Sequence, residues 1–441
     1  MRYVYFLLIL MILQNCSFDK NSGIWKSESN TLDDKNIQFK DFKTLLSSEE
    51  SFNEIVPFNN SFKFNLPKEI KNKEWNDIFF NYNNNFKNFQ YTNLNRLILT
   101  SKKISKNINN KYLLSENQNI ITSDKKGNLI IFSIDTNKIV AKFNFYKKNF
   151  KKIEKNLNLI VEKNIIYVSD NIGYLYAYNY EKKQLIWAKN YKVPFRSNLK
   201  IIKDKLVASN QNNNLFFFNK NNGLISKTIP TEENLIKNKF VSNISADKKN
   251  VMFLNTYGSL YSINSESMKV NWFLNLNRTL DLNPSNLFRG SPIINNEKKI
   301  ILASNNHTYI IESKTGRIIH KKNFSSQVKP IILNNYLFLI TKNDLLVSLD
   351  VISGNIIYSY DINQKISDYL NIKKKQVTIK DIFIAGGKIL IFLDNSYLLI
   401  FNINGDLNDV KKLSSKLKSS PIIVDGSIIY LNKKNKLSVL N

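Results

Sequence analysis

Asn164 to Trp187 reads NIIYVSDNIGYLYAYNYEKKQLIW. It holds an apolar strand, a turn at Asn171–Gly173, a second strand with alternating aromatics, a polar turn, and a third strand ending in Trp187. β-Branched and aromatic runs bounded by turn-tolerant residues form a β-meander. Alone it exposes two edges and buries no core. The fold therefore depends on how often the chain repeats it.

Leu175, two residues after Gly173, has equivalents at Leu129, Leu215, Leu260, Thr308, Leu346, Leu398 and Leu437, spaced by 38 to 52 residues. A strand-only period of about 44 residues is the signature of a propeller with one four-stranded blade per repeat. Three further columns keep the register. Four residues on, every copy is polar, from Ser133 and Asn179 to Asn441. Eight on stand Asn137, Lys183, Gly223, Met268, Gly316, Gly354 and Asp406. Most of these types accept positive φ. Twelve on stand Ala141, Trp187, Lys227, Trp272, His320, Tyr358 and Val410, an outer-strand position suited to packing between blades. The expected fold is all-β: an eight-bladed β-propeller of four-stranded antiparallel blades. The last copy stops after its third strand, so Asn95–Lys103 is expected to supply the missing strand by pairing with Lys436–Leu440. That closure removes an open edge.

The chain has 441 residues, 43% hydrophobic and 22% charged, which suits a folded protein. Its formal charge of +29 comes mostly from lysines spread from Lys20 to Lys436. No arginine-rich block or glycine–aromatic motif accompanies them, so we read a solvated surface and no nucleic-acid partner. The single cysteine, Cys16, excludes an intrachain disulfide and a cysteine metal cluster. His307 and His320 lack a metal-ligand spacing, and His320 falls in the tryptophan column.

Met1–Arg2 and the apolar run Tyr3 to Leu13 form a secretory signal too short to span a bilayer. Leu13-Gln14-Asn15-Cys16 resembles a bacterial lipoprotein signal, with Leu13 and Cys16 in place and Asn15 departing from the usual small residue. The resemblance implies lipidation at Cys16, and Ser17 implies sorting to the outer membrane. Residues 1–15 read as signal, 16–85 as a tether and irregular lead-in, flexible to about residue 70, and 86–441 as propeller.

The blades resemble the PQQ-type propeller repeat, best at Gly173–Trp187, Gly258–Trp272 and Thr308–His320. The quinoprotein dehydrogenases built on it use Ca²⁺ carboxylates, a stacking tryptophan, an aspartate base and commonly a vicinal disulfide. This chain has no second cysteine, and the tryptophans inside its repeats, Trp187 and Trp272, lie in the outer-strand column. No cofactor, metal or catalytic residue is expected. A lipoprotein signal, a tether and cofactor-free blades together resemble the BamB family of the outer-membrane β-barrel assembly machinery. Trp75–Leu94 resembles the tryptophan-led, Asn-rich lead-in of its alphaproteobacterial members, and the run from Ile55-Val56-Pro57 to Leu66-Pro67 is similarly placed.

The resemblance implies a non-enzymatic, lipid-anchored scaffold on the periplasmic face of the outer membrane. It would bind the periplasmic domains of a BamA-like barrel-inserting subunit and assist insertion of outer-membrane proteins, meeting unfolded clients as well. It also implies a partner-binding arginine in an inter-blade loop, matched by Leu287-Phe288-Arg289-Gly290 and, less fully, by Arg196 in Pro194-Phe195-Arg196-Ser197. The alternatives are a lipid-anchored propeller that binds another protein or a carbohydrate, and a PQQ-dependent dehydrogenase. The long intervals place enlarged loops at Asn275–Arg289 and Ile362–Val377, where Lys373-Lys374-Lys375 reads as solvated, with contact to anionic lipid headgroups as the alternative.

Overall fold

The computed structural model describes residues 52–146, 150–233, 241–277, 288–304 and 306–441. Among them, eight antiparallel sheets follow one another along the chain as propeller blades. Blades one to four run from Leu114–Glu116 through Lys138–Asn144, Leu157–Glu162 through Gln184–Asn190, Lys200–Ile202 through Ile225–Ile229, and Asn243–Ala246 through Val270–Asn275. Blades five to seven run from Ile294–Asn295 through Ile318–Lys322, Ile331–Leu333 through Ile356–Asp361, and Ile379–Ala385 through Leu407–Lys412. Blade eight holds Ile422–Val424, Ser427–Leu431 and Lys436–Leu440. All eight reference positions lie fully buried in third strands. Thr308 fits this apolar column because its hydroxyl donates to Phe324 O at 2.8 Å.

Closure occurs as expected. Leu97–Lys103 is the outer strand of blade eight and pairs antiparallel with Lys436–Leu440, Leu97 opposite Leu440 and Lys103 opposite Lys436. Arg96 and Asn441 extend the ladder with two backbone hydrogen bonds of 2.9 and 3.0 Å.

The two spaced columns prove to be halves of one contact. Asn137, Lys183, Gly223, Met268, Gly316 and Gly354 all have positive φ; in blade seven the residue is Gly405, one before the expected Asp406. Each such glycine lies under the outer-strand ring of the preceding blade. A Cβ built on Gly223 would sit 2.6 Å from Trp187, on Gly316 2.6 Å from Trp272, on Gly354 2.7 Å from His320, and on Gly405 2.8 Å from Tyr358. The rings also donate across the seam, Trp187 Nε1 to Lys220 O at 2.9 Å and Trp272 Nε1 to Ser313 O at 3.1 Å. His320 Nε2 lies 2.9 Å from Ile352 O, so His320 serves in the packing column.

A further column escaped the sequence reading. At the end of second strands, Asp124, Asp170, Asn210, Asn255 and Asn432 turn a side-chain oxygen onto backbone N–H groups of the following turn, as Asp170 Oδ1 does with Ile172, Gly173 and Tyr174 at 2.8 Å each. These are Asx turns that set the turn between second and third strands.

The lead-in departs most from expectation. Residues 52–66 do not hang free from the propeller. Val56 forms a bridge with Ser359 of blade six, and Phe58 and Phe64 pack on Tyr358, with Phe62 and Phe64 also edge-on to Tyr336. The reason is aromatic spacing: Phe58, Phe62 and Phe64 cover Tyr336 and Tyr358 on the blade face, and Tyr358 is fully buried beneath them.

The chain then enters the axis and visits every inner strand in order. Asn72 Nδ2 donates to Ile423 O of blade eight at 2.9 Å. Trp75 exchanges backbone bonds of 2.7 and 2.9 Å with Ser115 of blade one, and Asn76 O accepts from Val161 of blade two at 3.0 Å. Asp77 takes Lys200 of blade three. Tyr82 O and Asn83 O accept from Ala246 of blade four and Asn295 of blade five. The Asn85 side chain pairs in both directions with Ile332 of blade six, at 2.8 and 3.1 Å. Asn88–Phe89 finally runs parallel to Ile384–Ala385 of blade seven.

The ion pair in this circuit is buried, with Lys200 and Asp77 side chains 0% and 4% exposed and 2.6 Å apart. Lys200 Nζ also donates to Asn81 O and Asn84 Oδ1. Burial raises the Asp77 carboxyl and lowers the Lys200 ammonium, each opposed by the other's charge. Removing one member strands the other, so Asp77→Asn is expected to lose about 3–5 kcal/mol in urea unfolding. The double variant Asp77→Asn/Lys200→Met recovers much of that loss; equal losses in single and double variants would show that the charge pair is not the source.

Candidate functional site

Connections from each outer strand to the next inner strand emerge at one end of the propeller, because every blade has the same strand order. At the axis of this end lies a bowl floored by the lead-in residues Ile78 and Phe79. One half, about 530 Å³, is mostly apolar and is lined by Tyr112, Val241, Phe288, Arg289 and Pro292. The other, about 190 Å³, carries the charge: Lys329, Lys380 and Asp381, beside Trp75 and Phe86. Ile78, Phe79, Tyr112 and Pro292 line both halves.

The charged half is tightly built. Lys329 Nζ donates to Asn84 O at 2.9 Å and lies 3.2 Å from the centre of the Phe86 ring. Burial pushes its ammonium down to about 7, while Asp381 favours the charged form. Burial pushes the Asp381 carboxyl up to about 6, opposed by hydrogen bonding to Ser420 and by Lys329. Lys380 Nζ donates to Leu417 O and Lys418 O.

The residues singled out in the sequence separate here. Arg289 is exposed on the rim of the apolar half. Its neighbours fix it from both sides. Phe288 N donates to Thr256 O at 2.9 Å, and its ring covers Gly258. Gly290 is pressed against Leu254, where a Cβ would come within 2.3 Å. Phe288 is therefore partly committed to the seam between blades four and five. Arg196 does not join the bowl. Its N–H donates to Ser209 O and its carbonyl accepts from Ser242, which welds blade three to blade four.

A capping serine explains the difference. Ser197 Oγ accepts from Ser209 N at 2.7 Å and Ser291 Oγ from Ala303 N at 3.0 Å, so the two serines are equivalent. By that register Arg196 stands at the place of Gly290, and Arg289 at that of Phe195. Leu287 and Cys16 lie outside the described residues, as does most of Asn275–Arg289. The other enlarged loop, Ile362–Val377, opens with a helix, Ile362–Leu370. Among the described residues, no three His, Cys, Asp or Glu side chains are grouped to hold a metal ion.

The profile of a family described as outer membrane protein assembly factor BamB matches residues 125–360. No curated protein sequence matches the chain at a significant level. Among solved structures, BamB from Moraxella catarrhalis superposes with a TM-score of 0.60 at 11% identity, covering 78% of this chain and 100% of that one. Two enzymes share the fold. A europium-containing methanol dehydrogenase has a TM-score of 0.59 at 10% identity, covering 83% of this chain and 89% of its own. The quinohemoprotein alcohol dehydrogenase from Comamonas testosteroni reaches 0.60 at 9% identity, covering 83% and 80%.

The charged half of the bowl has a pH signature. A lysine whose ammonium is weakened by folding holds fewer protons in the folded than in the unfolded chain between pH 7 and its ordinary value near 10.5. Stability from this group therefore rises with pH across that window. Lys329→Met is expected to remove that rise, measured as the difference in melting temperature from the parent chain between pH 7 and 10. A difference that stays constant with pH would show that Lys329 titrates normally.

Proposed function

The chain belongs to the family of the outer membrane protein assembly factor BamB, and from that membership we propose that it is a non-enzymatic scaffold of the outer-membrane β-barrel assembly machinery. In this reading Cys16 carries the lipid anchor on the periplasmic face of the outer membrane. The propeller binds the periplasmic domains of a BamA-like subunit and assists insertion of outer-membrane proteins.

The observation that carries the reading is the filled axis. Propellers commonly place ligands at the axis, where a ring of inner strands leaves room. Here residues 72–89 occupy that room with their own backbone and side chains, hydrogen-bonded to the inner strands. Trp187 and Trp272 are engaged in seams between blades, away from the axis. What the axial end offers instead is an open bowl, apolar in the half that Arg289 borders and charged in the other, a surface suited to a protein segment. Arginine is among the residue types enriched at interface hot spots once a partner covers it.

The test is capture of the barrel-inserting subunit after mild detergent extraction. Arg289→Glu is expected to weaken capture by about 2 kcal/mol or more, roughly 30-fold, while Arg196→Glu, outside the bowl, leaves capture undiminished. Undiminished capture by Arg289→Glu would remove the site. Absence of any barrel-assembly subunit from the parent chain's eluate would remove the scaffold reading. A quinone-dependent dye-reduction assay on the full chain is expected to give no turnover; turnover would restore the dehydrogenase alternative.

A further inference from the structure

Between blades six and seven the helix Ile362–Leu370 lies against the outer strands Ile356–Asp361 and Leu407–Lys412. Asp361 caps it by accepting from Gln364 N, and Asn371, in the left-handed conformation, ends it. Ile362, Asn363 and Ile366 are its buried side. Lys365 clasps it to blade seven through Asp406 at 3.1 Å, over the Tyr360 ring. Its far end turns back on itself, Ile372 N donating to Ser367 O at 3.1 Å, and leaves its side chains outside. Tyr369, Leu370 and Ile372 are 47%, 43% and 51% exposed, and Lys373, Lys374 and Lys375 follow, all exposed. A single exposed apolar side chain needs no account. Three large ones within four positions, followed at once by three cations, do.

The charges around this knuckle decide its partner. Asp361 is paired with Lys374 at 2.5 Å, Asp406 with Lys365, and Asp409 with Lys411 at 2.8 Å. Asp368 accepts from Gln364 at 2.7 Å. Asp361 thus engages the triplet's own Lys374, Asp406 and Asp409 engage lysines outside it, and Asp368 keeps its charge against a neutral amide; among the described residues Lys373 and Lys375 form no ion pair, on a chain of formal charge +29. Among the described residues no helix is long and apolar enough to cross a membrane, so a membrane contact here would be interfacial.

We propose that residues 369–375 are a membrane-surface contact: Tyr369, Leu370 and Ile372 enter the interfacial layer of an anionic phospholipid leaflet, and Lys373 and Lys375 meet its headgroup phosphates. An aromatic and two aliphatic side chains at one tip, bordered by cations on long flexible stems, match what an interface selects. A lipid surface requires no shaped groove. This contact is independent of the partner-docking reading. It orients the outer edge of blades six and seven toward the bilayer, whatever occupies the axial bowl.

Hydrogen exchange tests it on the full chain reconstituted on phosphatidylethanolamine vesicles with and without phosphatidylglycerol. Amides of residues 369–375 are expected to exchange more slowly on the anionic vesicles, while blade amides do not change. Each lysine near an anionic surface contributes about fivefold in binding. Lys373→Glu/Lys375→Glu, which also adds repulsion, is therefore expected to lower surface binding by about 25-fold or more and abolish the difference. Leu370→Ser/Ile372→Ser is expected to reduce protection on both vesicle types. All four side chains are exposed, so unchanged exchange in the blades certifies the fold of each variant. Equal exchange of 369–375 on both vesicle types, or protection that survives both double variants, overturns the proposal.

Discussion

A ring of eight sheets creates two demands that no single blade can meet: an edge to be paired and an axis to be filled. The edge is closed by an ordinary ladder, Leu97–Lys103 on Lys436–Leu440. The axis is closed by a single pass of chain that meets eight different inner strands within eighteen residues, Asn72 to Phe89. Asparagine suits this task because its amide both donates and accepts, as Asn85 does with Ile332 and as Asn84 does by donating to Ile244 and Ile293. At blade three the circuit uses a buried charge pair, Asp77 with Lys200. Such a pair contributes little net stability. It makes one register of the axial strand far better than any other, because a slipped strand leaves an ammonium buried alone.

Cohesion between blades has a simpler basis. Where the outer strand carries a large ring, the next blade has glycine in its turn: Trp187 over Gly223, Trp272 over Gly316, His320 over Gly354, Tyr358 over Gly405. Where the outer strand carries Ala141 or Lys227, the next turn carries Lys183 or Met268 instead, at the same positive φ. Ring and glycine are therefore selected as a pair. The glycine is required less for its dihedral, which Lys183 and Met268 also adopt, than for the space a Cβ would take from the ring. Histidine in this column is packing.

Function is left to what the repeat does not use. The cores of the blades are saturated with one another, and the axis is occupied. Among the described residues, two exposed surfaces stand out, the axial bowl with Arg289 and the knuckle after the helix Ile362–Leu370. Both arise where a connection between blades is longer than the turn it replaces, so the propeller tolerates them without cost to its core.

The opening meander, its eight copies and the strand exchange that closes the ring are all legible in the amino-acid order. They rest on patterns of local origin: alternation along strands, turn residues, and a period long enough to count. The same holds for the ring-and-turn columns, although in blade seven the spacing points to Asp406, one residue past the true turn at Gly405. The axial circuit has no period, because Trp75, Asp77 and Asn85 each answer a different blade, and so it reads as an irregular lead-in. Arg196 and Arg289 look alike in their short contexts. Only the serine caps at Ser197 and Ser291 reveal that the two stand one register position apart, Arg196 with its backbone in a seam between blades and Arg289 exposed at the bowl. Sequence by itself determined the repeat and its closure, since these follow from neighbours along the chain. Tertiary structure alone decided what fills the axis and which side chains remain exposed, since these depend on contacts between residues hundreds of positions apart.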